Sequence, residues 1–139
     1  MAQRIRDVMT SGPTTLPENA SVADAARKMR DEDIGDVLIQ REGELTAIVT
    51  DRDIAVRVVA EDRLPAETPL REIASQELIT VSPDDPVSDA VQLMRSRAIR
   101  RVAVVEGQRP VGIVSIGDLA MERDPDSALA DISEAKPNE

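Results

Sequence analysis

The chain repeats itself. Residues from Ile5 to Ala55 align with Leu70 to Ala120 at a constant offset of 65 positions, without a gap. The repeat is clearest at Ala47-Ile48-Val49-Thr50-Asp51-Arg52-Asp53 and Gly112-Ile113-Val114-Ser115-Ile116-Gly117-Asp118. Each copy is a small residue, two apolar residues, a hydroxyl residue, two variable positions and an aspartate. Ile5-Arg6-Asp7-Val8 likewise matches Leu70-Arg71-Glu72-Ile73, and Val22-Ala23-Asp24-Ala25 matches Val87-Ser88-Asp89-Ala90. Such a duplication restricts the chain to two copies of one small unit. Each copy alone has too little surface to cover its own sheet and helices. The two are therefore expected to pack about a pseudo-twofold, as in an isologous dimer interface, with two equivalent clefts between them.

Each copy reads strand, helix, strand, strand, helix. Thr14-Thr15-Leu16 carries β-favouring residues after the Ser11-Gly12-Pro13 break. Ser21 is placed to cap a helix whose Val22, Ala25, Ala26 and Met29 fall on one face. Asp36-Val37-Leu38-Ile39 reads as a buried strand, joined by the Arg41-Glu42-Gly43-Glu44 hairpin to a strand ending at Val49. Thr50 starts a second helix with Ile54, Val58 and Val59 on its apolar side. The expected fold class is α/β of the α+β kind: two β-α-β-β-α repeats in one compact module. The boundaries are 1–60 for the first repeat, 61–69 for a proline-bearing linker, 70–123 for the second repeat and 124–139 for a polar tail. Leu129 and Ile132 are the tail's candidates for docking.

Composition removes several chemistries. Without Cys there is no disulfide, thiolate nucleophile or Cys-ligated zinc, and without His the usual general base and metal ligand are missing. Without Phe, Tyr or Trp no base can be stacked on a ring. A net charge of −10 argues against a nucleic-acid polymer as partner. No apolar run approaches the roughly 18 residues of a membrane span, and Met1 to Asp7 has no signal-peptide pattern. A cytoplasmic protein without a membrane partner is expected. No nucleophile–base pair or metal cluster is visible, so no enzymatic activity is expected either. Of the 17 basic residues only Lys28 and Lys136 are lysines, so most cations are guanidiniums suited to forked contacts with phosphate or carboxylate.

The spacing Thr50-x-x-Asp53, repeated as Ser115-x-x-Asp118, has two readings. One is a capping box that satisfies the first turn of a helix, worth about 1 kcal/mol. The other is a ligand site: an ionised carboxylate accepts two hydrogen bonds from a cis-diol, and a helix start favours an anion. The residues alone leave both open.

The duplication, the element order and the G-h-h-[ST]-x-x-D pattern closing the third strand together resemble a tandem pair of cystathionine-β-synthase (CBS) domains, a Bateman module. The resemblance covers about residues 5 to 122 and extends to stand-alone small bacterial two-CBS proteins, including the hypoxic-response type. It implies that the hydroxyl residue contacts a nucleotide phosphate and the aspartate holds the ribose hydroxyls of an adenosine ligand such as AMP, ADP or ATP, with no other cofactor required. It also implies that each cleft combines the motif of one repeat with the second-strand start of the other. Thr50 and Asp53 would then meet Arg100 and Arg101, with the Ile79 position for the base. Gly112, Ser115 and Asp118 would meet Gly35 and Asp36, with the Thr14 position. On that pairing the first cleft, with two guanidiniums, is the better nucleotide site, although Ala47 replaces the motif glycine there. The base would lie among aliphatic side chains such as Ile79, Ile99 and Ile113.

The function this implies is a regulatory adenosine-nucleotide sensor acting in trans on an unidentified protein, because no effector domain is attached. The alternative is a ligand-independent structural or oligomerisation module. The resemblance further implies a homodimer formed face to face through helices, with Val56, Val58 and Val59 as apolar surface.

Overall fold

A computed structural model describes residues 3–74 and 78–123; the expected docking of Leu129 and Ile132 lies outside the described residues. In chain order the elements begin with α1 (Ile5–Val8), β1 (Thr10–Ser11), β2 (Thr15–Pro17), α2 (Val22–Glu32), β3 (Asp36–Arg41), β4 (Glu44–Thr50) and α3 (Asp51–Ile54). A π-helical turn, Ala55–Val59, and two 3-10 turns, Pro65–Glu67 and Leu70–Glu72, follow. The second copy supplies β5 (Thr80–Val81), α4 (Val87–Arg97), β6 (Arg101–Glu106), β7 (Arg109–Ser115) and α5 (Ile116–Arg123). The mixed α+β class expected from periodicity is present.

The elements fall into two compact units. The first unit, from Pro13 to Leu78, holds a three-stranded sheet of order β2-β3-β4, with β2 parallel and β4 antiparallel to β3. Its core joins Val22, Ala25 and Met29 of α2 to Val37 and Ile39 of β3, Ala47 and Val49 of β4, and Val58. The second unit joins residues 3–12 to 79–123 and holds a four-stranded sheet of order β1-β7-β6-β5. Its core repeats the first with Val87, Ala90, Met94, Val102, Val104 and Val114. The repetition extends to irregularities. The ladder slips after Ile39 and again after Val104. Helices α2 and α4 both end in a left-handed residue, Asp33 (φ 55°) and Ala98 (φ 54°). One local device is not shared. Ser21 Oγ accepts from Asp24 N at 3.0 Å and Asp24 Oδ2 from Ser21 N at 3.2 Å, a capping box, whereas Pro86 starts α4 without a side-chain cap.

The leaders of the two copies are exchanged. The start of α2 is bonded to the segment that leads into the second repeat, Val22 N donating to Thr68 O (2.8 Å) and Leu70 N to Ala20 O (2.9 Å), and the start of α4 to the segment that leads into the first, Val87 N donating to Gln3 O (3.0 Å) and Ile5 N to Asp85 O (2.9 Å). Leu70 and Ile5, equivalent in the repeat, are both fully buried, Leu70 in the first core and Ile5 in the second. The packing units thus cut across the sequence repeats, each borrowing the first turn of the other copy.

One expectation fails in the helix after Thr50. Ile54, Val58 and Val59 do not share an apolar face: Val58 is fully buried and Val59 is 65% exposed. The segment leaves the α-geometry at Ala55; Ile54 and Val58 pack into the first core, and Val59, the next residue along the turn, points about 100° away and outward. Val58 therefore belongs to the core and not to a docking surface; Val56 and Val59 remain exposed. Among the described residues no helix is long and apolar enough to cross a membrane.

Candidate ligand-binding site

Thr50 closes β4 and opens α3. Its Oγ1 accepts from Asp53 N at 3.2 Å, and Asp53 Oδ2 accepts from Thr50 N at 2.9 Å. Ser115 closes β7 and opens α5 in the same way, with distances of 3.1 Å and 2.9 Å to Asp118. The capping reading holds in both copies. It does not exhaust the groups that make it. Among the described residues Oδ1 of Asp53 and of Asp118 accepts no protein hydrogen bond, and neither hydroxyl proton is donated. An ionised carboxylate offers about four acceptor positions, so one carboxylate can cap its helix and still accept from a diol. Both aspartates are half-buried.

The sheet register decides what stands beside each box. Asp36 lies opposite Thr50, and Asp51 N donates to Gly35 O at 3.0 Å. Arg101 lies opposite Ser115, and Ile116 N donates to Arg100 O at 2.9 Å. Directly opposed residues of an antiparallel pair share a face of the sheet. Within one unit, Thr50 and Asp53 therefore keep company with Gly35 and Asp36, and Ser115 and Asp118 with Arg100 and Arg101. Inside a unit it is the Ser115–Asp118 box that has the two arginines as neighbours. Thr14 precedes β2, where its carbonyl accepts from Leu38 N at 3.0 Å and its hydroxyl donates to Glu32. Ile79 precedes β5 and is half-buried, as are Ile99 and Ile113 in the same unit.

The motif glycine has a reason that the sequence did not disclose. Strand β1 pairs antiparallel with β7, Ser11 facing Gly112. A Cβ on Gly112 would stand 2.7 Å from Met9 Sδ and 2.9 Å from Thr10 O, closer than packed atoms approach. Glycine there makes room for the exchanged leader. The equivalent position in the first unit is Ala47, and the equivalent of Met9 is Ala74; the two substitutions go together. That coordinated exchange was the available signal, and it becomes readable only once the leaders are known to cross.

The hydrogen bond from Arg6 holds the Asp84 carboxyl below its usual range, and the Asp24 carboxyl is lowered first by Arg27 and then by Ser21. Among the described residues no group of three acidic side chains could hold a metal ion.

Comparison with known proteins agrees with this architecture. The CBS domain family model matches residues 5–60 and 70–124. The CBS domain-containing protein YhcV of Bacillus subtilis is 37% identical over 133 residues, 93% of this chain and 94% of that protein. The crystal structure of Hypoxic Response Protein I with two coordinated zinc ions is similar at a TM-score of 0.78 and 31% identity, covering 85% of this chain and 97% of that one. This chain has neither Cys nor His, so it lacks the nitrogen and sulfur donors that usually bind zinc. The CBS domain pair of protein MJ0100, solved in complex with 5′-methylthioadenosine and S-adenosyl-L-methionine, is similar at a TM-score of 0.82 and 28% identity, covering 91% of this chain and 100% of that one. With both copies matched almost end to end, the chain belongs to the CBS domain family as a tandem pair.

Proposed function

We propose that this CBS pair is a regulatory sensor of an adenosine-containing ligand, without catalysis of its own, acting in trans on a partner protein. The observation that carries this reading is the adenosine chemistry of the MJ0100 domain pair, both of whose ligands contain a ribose diol. The duplicated boxes support it, since each retains a carboxylate oxygen without a protein partner. Asp53 and Asp118 are the proposed diol acceptors and Thr50 and Ser115 the proposed anion contacts. Arg100, Arg101, Gly35, Asp36 and Gly112 are the proposed cleft neighbours, with Thr14 and Ile79 at the base positions. The arginines beside Ser115 support Asp118 as the stronger site for AMP, ADP or ATP.

A second reading rests on exposed apolar side chains. Val56, Val59 and Leu64, at 48%, 65% and 62% exposure, give the first unit a surface suited to a homodimer with or without ligand. Thermal unfolding against AMP, ADP, ATP, 5′-methylthioadenosine and S-adenosyl-L-methionine separates the two. A ligand that binds only the folded state at a hundred times its Kd stabilises it by about 2.7 kcal/mol. The sensor reading expects stabilisation by at least one ribonucleoside and a much weaker response to its 2′-deoxy counterpart. A flat response across the panel would leave the oligomerisation module.

A further inference from the structure

The place occupied by Met9 in the second unit has an unlike counterpart in the first. There Ala74 replaces Met9 and Ala47 replaces Gly112, so a long side chain is removed and one methyl is added. A cavity of about 220 Å³ remains, floored by Ile39, Ala47 and Ala74 and rimmed by Glu18, Arg41, Thr46 and Arg71. That is far above the roughly 10–15 Å³ that a single water needs. None of the cavity's lining residues belongs to the Thr50–Asp53 box.

The charges at the two equivalent places are also reversed. In the second unit the Arg6 guanidinium is neutralised by Asp84, its Nε lying 3.1 Å from Oδ1, and Glu106 and Pro83 complete the set. In the first unit Arg71 is the counterpart of Arg6, but Asn19 replaces Asp84, Arg41 replaces Glu106 and Glu18 replaces Pro83. Arg71 donates one Nη to the Asn19 amide oxygen, a neutral partner. Among the described residues the side chains of Arg41 and Glu18 have no partner. The plug and the neutralising carboxylate are missing together, and two guanidiniums and one carboxylate take their place around an apolar floor.

We propose that this cavity is a binding site for a small zwitterion of the amino-acid class. Its carboxylate would lie toward Arg41 and Arg71, a match suited to forked, charge-assisted hydrogen bonds. Its ammonium would lie toward Glu18, and its side chain on Ile39, Ala47 and Ala74. The net positive rim excludes a simple cation; Glu18 disfavours a bare anion. The site is independent of the adenosine reading and stands or falls separately.

Isothermal titration of the full chain with glycine, L-alanine, L-serine and L-valine, and with acetate and inorganic phosphate as anion-only probes, tests the assignment. At least one amino acid should bind, and Arg41→Ala and Arg71→Ala should each weaken it by about tenfold or more, the scale of a lost charge-assisted bond. Ala74→Met combined with Ala47→Gly, which restores both the plug of the other unit and the glycine that admits it, should abolish binding while the unliganded protein keeps a cooperative unfolding transition. Glu18→Gln should weaken the amino acid and not acetate. The proposal is overturned if no amino acid binds, if the Ala47→Gly, Ala74→Met double variant binds as well as the wild type, or if acetate and phosphate bind as tightly as the amino acids.

Discussion

Gly112 and Ala47 occupy the same place in the repeat but answer to different neighbours. At Gly112 the Met9 thioether and the Thr10 carbonyl leave no room for a methyl group. Gly112→Ala should therefore destabilise the protein by about 1–3 kcal/mol, the usual range for overpacking, as measured by urea denaturation. Adding Met9→Ala should recover much of the loss on the Gly112→Ala background, since the pair then reproduces Ala74 and Ala47. Additivity of the two losses would show that the thioether is not the obstacle. The hydroxyl and carboxylate of each box were legible in the sequence because their spacing is local, three residues along one chain. The reason for the glycine was not, because Met9 reaches it from about a hundred positions away.

At the scale of elements, the helices and strands followed from periodicity where a single face is buried. Val22, Ala25 and Met29 on α2 are all in the core, and their copies on α4 repeat this. Val59 escaped because neighbours along a helical turn point about 100° apart, so with Val58 in the core the residue after it faces outward. Caps give separable predictions. Ser21→Ala removes a capping box and should cost about 1 kcal/mol, whereas Pro86→Ala at the uncapped start of α4 loses no side-chain bond. The acid limb of stability should be carried in part by Asp24 and Asp84, whose folded carboxyls titrate below their ordinary value of 3.8. The unfolded chain then binds more protons at acid pH, so their contribution is present above the unfolded pKa and lost as pH falls through the folded one. In thermal melts from about pH 6 to pH 2, Asp84→Asn should flatten the decline relative to wild type. A decline of unchanged steepness would remove Asp84 from the account. Both carboxylates are exposed, so the effect should be small and weaken with salt.

At the scale of the whole molecule, the duplication was visible without a structure, and so was the family it resembles. The exchange of leaders was not, since Ile5 and Leu70 look alike in sequence and nothing local says which core each enters. Ile5→Ala and Leu70→Ala should each cost about 2–5 kcal/mol, as expected for a fully buried aliphatic side chain. The fragment 1–60, cut at the sequence repeat, lacks Leu70 and Ile73 and should fail to unfold cooperatively. The fragment 13–78 keeps every residue of the first core and should show a urea transition. Cooperative unfolding of 1–60 with none for 13–78 would contradict the packing assigned to the two units.

The most direct test of the sensor reading separates the cap from the ligand contact at one atom. Asp→Asn keeps an oxygen able to accept from the Thr50 or Ser115 amide but removes the charge that strengthens a bond from a ribose hydroxyl. Calorimetric titration of the adenosine ligand that gives the largest thermal shift, into wild type, Asp53→Asn and Asp118→Asn, reads this out. A loss of about tenfold or more in affinity is expected for at least one variant, larger for Asp118→Asn, with the unliganded melting temperature nearly unchanged. Affinity equal to wild type in both variants and in the double variant would contradict it, and would leave the two boxes as helix caps alone.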